Sequence, residues 1–158
     1  MEKHYKHILV PLDKSALAEL ALVDAFDIAR LSRAEVTLLY VTPPIDHVLG
    51  AETGHPIYID QQWANKKILA LRYLSNVRDR LVDKDITVHT VVKIGPAAET
   101  IIDYAHRHPI DLIVMSTHGR SGLQRWAHGS IADEVLHGTD VPTLLVRAHP
   151  EKQLAESI

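Results

Sequence analysis

Apolar positions along the chain fall into two kinds of run. Five short stretches, His7–Val10, Glu35–Val41, Ile86–Val92, Asp111–Met115 and Pro142–Arg147, are rich in aliphatic and β-branched residues. Several are continuously apolar, the pattern of strands covered by helices on both faces. Between them the apolar residues recur at helical spacing. From Ser15 to about Ser32 the stripe is Leu17, Ala21, Ala25 and Ile28, and from about Ile57 to Val82 it is Trp63, Ala70, Leu74, Val77 and Leu81. Pro96 to Arg107 carries Ala98, Ile101, Ile102 and Ala105, and Ser130 to His137 carries Ile131, Ala132, Val135 and Leu136.

Punctuation agrees with these boundaries. Ser15 suits an N-cap, Pro96 suits a first helical position with Glu99 in the first turn, and Ser130 with Asp133 makes a helix-start signal. Gly138 stands where a C′ glycine is expected. Strands alternating with helices predict an α/β fold with a mostly parallel sheet and right-handed crossovers. The elements fill one domain over residues 1–148, and the polar stretch 149–158 is expected to fray.

Composition narrows the function classes. With 17 basic and 20 acidic residues the formal net charge is −3, which is no footprint for a general nucleic-acid binder. Cysteine is absent, which removes disulfides, thiol nucleophiles and Cys-ligated zinc. No window approaches the ~18 apolar residues of a membrane span and no signal-peptide pattern opens the chain, so a cytoplasmic protein is expected. Eleven histidines stand out for a chain of 158 residues.

Ligands of open α/β sheets bind beyond the carboxyl ends of strands, where the strand order reverses. Two post-strand segments therefore matter. The first is Pro11-Leu12-Asp13-Lys14-Ser15, where Pro11, unable to donate to a ladder, ends the strand or lies where pairing stops. The second, Ser116 to Ser130, holds Gly119, Gly122, Gly129, Arg120, Arg125, His118 and His128, and leads into a helix. Glycines let main-chain N–H groups approach an anion, a helix N-terminus adds donors, and arginines add charge-assisted bonds. The Ser130 hydroxyl could bond a phosphate or cap its helix, and the segment could equally be a plain loop. Neither G-x-x-x-x-G-K-[ST] nor G-x-G-x-x-G after the first strand is present.

These residues carry a resemblance. Pro11-Leu12-Asp13-x-Ser15, Met115-Ser116-Thr117-His118, and Gly119 followed after nine residues by Gly129-Ser130 resemble the ATP-binding branch of the universal stress protein family. The first glycine of that family's G-x2-G-x9-G-[ST] pattern is Ser116 here. The resemblance spans about residues 5–147. It implies an open five-stranded parallel sheet of order 3-2-1-4-5 with helices on both faces, Rossmann-like and of the adenine nucleotide alpha hydrolase type. It implies ATP or AMP as ligand, with any Mg²⁺ or Mn²⁺ held through the phosphates. Asp13 and Val41 would line the adenine and ribose pocket, Pro11 and Leu12 would belong to the same nucleotide site, and Met115, Ser116, His118, Gly119 and Arg120 would wrap the ribose and first phosphates. Gly129, Ser130 and Ile131 would hold the outer phosphates. The last strand, Val141, Thr143, Leu144, Leu145 and Val146, would pair across a two-fold axis into a homodimer, covering an otherwise exposed edge.

Blander readings stand beside these. Asp13 could be a metal ligand or base, but a nucleotide contact or helix cap fits a lone carboxylate better. Glu134 and His137 have E-x-x-H spacing yet read as a surface pair. His106-Arg107-His108 suits a helix C-terminus. Trp126 could stack on a base or anchor its loop, and Thr42–Pro56 is long enough to be a lid or partner loop. The expected function is regulatory binding of an adenine nucleotide, coupled to dimer or partner interactions. The competing readings are a slow ATP hydrolase or phosphotransferase and a nucleotide-independent interaction protein.

Overall fold

The computed structural model describes residues 4–44, 56–81, 85–117 and 130–147. Its elements run β1 (His7–Leu12), α1 (Ala16–Glu19), α2 (Ala21–Ser32), β2 (Glu35–Thr42), α3 (Pro56–Arg80), β3 (Val88–Ile94), α4 (Ala97–Arg107), β4 (Leu112–Thr117), α5 (Ser130–Gly138) and β5 (Thr143–Arg147). All strand pairs are parallel and the order is β3-β2-β1-β4-β5, as the resemblance implied.

Strand parity sorts the core into two layers, because successive side chains point to opposite faces. On one face Ile8, Val10, Leu12, Val36, Leu38, Leu112 and Val114 pack with Leu22, Ala25 and Phe26 of α2 and Leu74 and Val77 of α3. On the other, Leu9, Leu39, Ile113 and Met115 pack with Ala98, Ile101 and Tyr104 of α4 and Ala132 and Val135 of α5. Burial of both faces explains why the strands read as apolar runs rather than alternating ones.

Local signals hold with three differences. Ser15 caps α1, its Oγ accepting from the Ala18 N–H at 3.0 Å. The first helical stripe is two elements, a short α1 and then α2, with Leu20 between them. α2 ends on Arg33 in the left-handed region (φ 55°), where its N–H donates to the Ala29 carbonyl. Gly138 is the last residue of α5 rather than a left-handed cap: a Cβ there would lie 2.5 Å from Ile102 Cδ1, so the glycine serves close approach of α5 to α4. β3 runs two residues later than the sequence pattern suggests, because Val88 to Ile94 pair with Val36 to Thr42 of β2.

No described helix is long and apolar enough to cross a membrane.

Candidate functional site

The site is built on a ladder that stops early. β1 pairs with β2 from His7↔Glu35 to Leu12↔Tyr40, but with β4 only at Ile8↔Leu112 and Leu9↔Ile113. Beyond that rung β1 and β4 part at the point where strand order reverses. Pro11 is the local cause. The Lys6 carbonyl accepts from Glu35 on the β2 side and the His7 carbonyl from Asp111 on the β4 side. Alternation along the strand turns Pro11 toward β4, where it has no N–H to offer. Pro11 thus lies within β1, at the place where pairing to β4 stops.

The same alternation groups the side chains. Pro11, Val41 and Met115 share the face of α4 and α5, Val41 packing on the cluster that contains Met115. Ala132 and Val135 of α5 join that cluster, while Ile131 in its first turn is 41% exposed. Leu12 packs in the opposite layer, and Ser116, beside Val114 and paired with Val146, has the same parity as Leu12. Of the residues drawn from the sequence, then, Pro11, Val41 and Met115 share the sheet face that α4 and α5 cover. Leu12 and Ser116 belong to the opposite layer.

Asp13 to Ser15 form a tight rim. The Asp13 carboxylate accepts from the Ser15 N–H at 2.9 Å and from the Ser15 hydroxyl. This Asx arrangement satisfies the helix start and fixes an exposed carboxylate at the mouth. Lys14 between them takes φ 71°, a left-handed conformation costly for a residue with a Cβ, and its Nζ lies 5.1 Å from the Tyr40 ring centroid. Tyr40 in turn meets Tyr73 edge-on at 6.2 Å, and the Tyr73 hydroxyl donates to Glu19 at 2.9 Å. Burial first, and then that bond to a carboxylate, push the Tyr73 hydroxyl pKa well above its ordinary value.

Three features here escaped the sequence reading. Gly95, after β3, has φ 151°, donates to the Thr42 carbonyl at 3.0 Å, and would place a Cβ 2.5 Å from Thr100 Oγ1. The post-strand rule, applied after strands one and four, would have found Gly95-Pro96 had it been applied after strand three. A cleft of about 480 Å³ runs from there along α4, lined among others by Lys93, Thr100, Asp103, Tyr104 and Arg107. Its lining comes from the end of β3 and the α4 helix that follows it, and the cleft exists only because α4 folds back over the sheet. The hydroxyls of Thr42 and Ser116 are buried without a hydrogen-bond partner, at the ends of β2 and β4.

His118, Gly119, Arg120 and Gly129 lie outside the described residues, as do Arg125, Trp126, His128, residues 45–55 and residues 148–158. Ser130 opens α5. Among the described residues no group of three His, Asp or Glu side chains could hold a metal ion. His137 donates from Nδ1 to the Asp133 carbonyl at 2.8 Å, and His108 does the same to Tyr104, so both act at helix C-termini. β5 is a sheet edge, with Leu144 36% exposed.

Comparison with known proteins agrees with this architecture. A universal stress protein of Methanocaldococcus jannaschii is 30% identical over 152 residues, covering 96% of this chain and 87% of that protein. The solved structure of MJ0577, also from M. jannaschii, is 26% identical with a TM-score of 0.77, covering 93% of this chain and 99% of that one. Two further structures share the fold at 22% identity. One is a universal stress protein in complex with cAMP (TM-score 0.63, 91% and 98% covered). The other, from Archaeoglobus fulgidus, is in complex with dAMP (TM-score 0.56, 90% and 98% covered). The universal stress protein family model matches residues 4–147. That span takes in all five strands and both rims of the crevice, and on it the chain belongs to the universal stress protein family.

Proposed function

We propose that the chain binds an adenine nucleotide in the crevice between β1 and β4 and acts through that binding rather than through turnover. The observation that carries this reading is the early end of the β1–β4 ladder, with Pro11, Val41 and Met115 on the face that α4 and α5 cover. An apolar wall suits the faces of a purine, and a helix N-terminus suits phosphate. In this reading Pro11, Val41 and Met115 hold the base, with Leu12 and Ser116 contributing main-chain groups. Asp13 accepts from the ribose. Main-chain N–H groups of Gly129, Ser130 and Ile131, with the Ser130 hydroxyl, take the outer phosphates, while His118, Gly119 and Arg120 contact the ribose and first phosphates. Mg²⁺ or Mn²⁺ would enter on the phosphates of ATP. Relatives solved with cAMP and dAMP support the adenine class of ligand.

A homodimer through β5 belongs to the same reading, because an exposed edge of Thr143, Leu144, Leu145 and Val146, preceded by Val141, needs a cover. Ligand-dependent change in that dimer, or in a partner's grip, is the regulatory output. The experiment is a thermal-shift series with ATP, AMP and cAMP on the wild type and on Gly129→Val. Ligand binding raises the melting temperature as RT ln(1 + [L]/Kd). A rise for the wild type that is lost in Gly129→Val is expected, and no shift at millimolar nucleotide overturns the assignment.

A further inference from the structure

At the end of the sheet opposite the crevice, three histidines from three elements converge. His7 of β1 and His89 of β3 point to the α4 side, their ring centroids 5.9 Å apart across β2. His89 Nε2 bonds Glu35 Oε2 at 2.8 Å. His7 Nε2 bonds the Thr37 hydroxyl at 2.7 Å, and Thr37, only 1% exposed, stands close enough to Tyr104 of α4 to act on its hydroxyl. Tyr104 stacks on His108 with centroids 3.8 Å apart, and the N–H groups of Lys6 and His7 donate to the Asp111 carboxylate at 2.8 and 3.1 Å. Bonded to an imidazole, the Thr37 hydroxyl has one proton to give, and Tyr104 is the group beyond it. Protonated His7 can only donate to that hydroxyl.

The charged groups acting on His7 are Glu35 from β2, His89 from β3, Asp111 before β4 and His108 after α4. With the histidines neutral, two carboxylates stand against none of them charged. With all three protonated, three imidazoliums face the same two carboxylates, and His7 and His89 share Glu35. We propose that His7, His89 and Glu35, linked through Thr37 to Tyr104, form a proton-responsive corner that makes the contact of α4 with β1–β3 the acid-labile part of the domain. The histidine richness of the chain acquires a role here that a nucleotide site does not supply.

Burial is the main cause that holds the His7 pKa below its usual value, with His89 and His108 acting in the same sense and Glu35 and Asp111 opposing them. A histidine with a lowered folded-state pKa leaves the folded chain binding fewer protons than the unfolded one below the ordinary value of about 6.5. Its contribution is intact above that pH and is lost as the pH falls through the lower, folded value.

The test is ring-proton NMR titration of His7 in the wild type and in His89→Gln, with unfolding curves for the wild type and His7→Gln at pH 7.5 and 5.5. Expected are a His7 midpoint below that of a free imidazole, an upward move of that midpoint in His89→Gln, and a smaller acid loss of melting temperature in His7→Gln. Amide protection at Thr37 and Tyr104, corrected for intrinsic exchange, should fall at pH 5.5 more than that of β4. A His7 midpoint at or above that of a free imidazole, or one unmoved in His89→Gln, overturns the proposal. These titrations need no nucleotide, and they stand even if His7→Gln does not fold.

Discussion

Leu9 of β1 and Ile113 of β4 form the last rung between those strands, and the space beyond them is the crevice. Both are fully buried and both pack toward α4 and α5. One residue pair thus marks the boundary between a ladder that stabilises the sheet and an opening that can admit a ligand. Pro11, two residues on, prevents the ladder from closing it, since its missing N–H faces β4.

The rim beside that opening should be sensitive to Asp13. Asp13→Ala removes the acceptor for both the Ser15 N–H and its hydroxyl and frays the start of α1. A loss of roughly 1 kcal/mol in urea unfolding is expected, in the range for helix-start side-chain bonds. Asp13→Asn keeps an acceptor and should lose less. Equal losses would show that the Asx bond is not what Asp13 supplies.

Arg33→Gly should stabilise the protein. Arg33 closes α2 in the left-handed region at φ 55°, where a Cβ costs roughly 1–2 kcal/mol and glycine does not. Glycine also makes the unfolded chain more flexible, so a net gain of about 0.5 kcal/mol is expected from the denaturation midpoint.

Gly95→Ala should do the opposite. Its φ of 151° is disfavoured for any L side chain, and the new Cβ would meet Thr100 Oγ1 at 2.5 Å. A loss of about 1–3 kcal/mol is expected. Because Gly95 also donates to the Thr42 carbonyl, hydrogen exchange at Gly95 should rise in that variant.

Two leucines on α3 should separate sharply. Leu74 is fully buried against the α2 layer, while Leu69 is 53% exposed. Leu74→Ala should cost about 2–5 kcal/mol and Leu69→Ala less than about 0.5 kcal/mol by chemical denaturation. Similar losses at both positions would mean that the face of α3 carrying Leu69 is also covered.

Much of this was legible before any coordinates. The alternation of elements followed from periodicity, since Leu74 and Val77 on α3 or Ala98 and Ile101 on α4 recur at the spacing of one helix face. Ser15 was legible as a cap because its chemistry is local. Gly138 was misread as a left-handed cap because its reason lies in Ile102, 36 residues earlier on a neighbouring helix. Gly95 is marked in the sequence only by its place after β3, while its close approach to Thr100 and the cleft along α4 exist only once α4 packs back on the sheet.

By itself the sequence determined an α/β domain with a parallel sheet, the two post-strand segments where a ligand could bind, and a resemblance to one family. Its periodicities and caps are properties of neighbours along the chain, so no coordinates are needed to read them. Tertiary structure alone decided that the β1–β4 ladder ends at Leu9 and Ile113, and that register and parity bring Pro11, Val41 and Met115 to one face and Leu12 to the other. It also decided that His7, His89, Glu35 and Tyr104 meet. Register and parity place residues from distant segments side by side, and those relations come into being only when the strands pair.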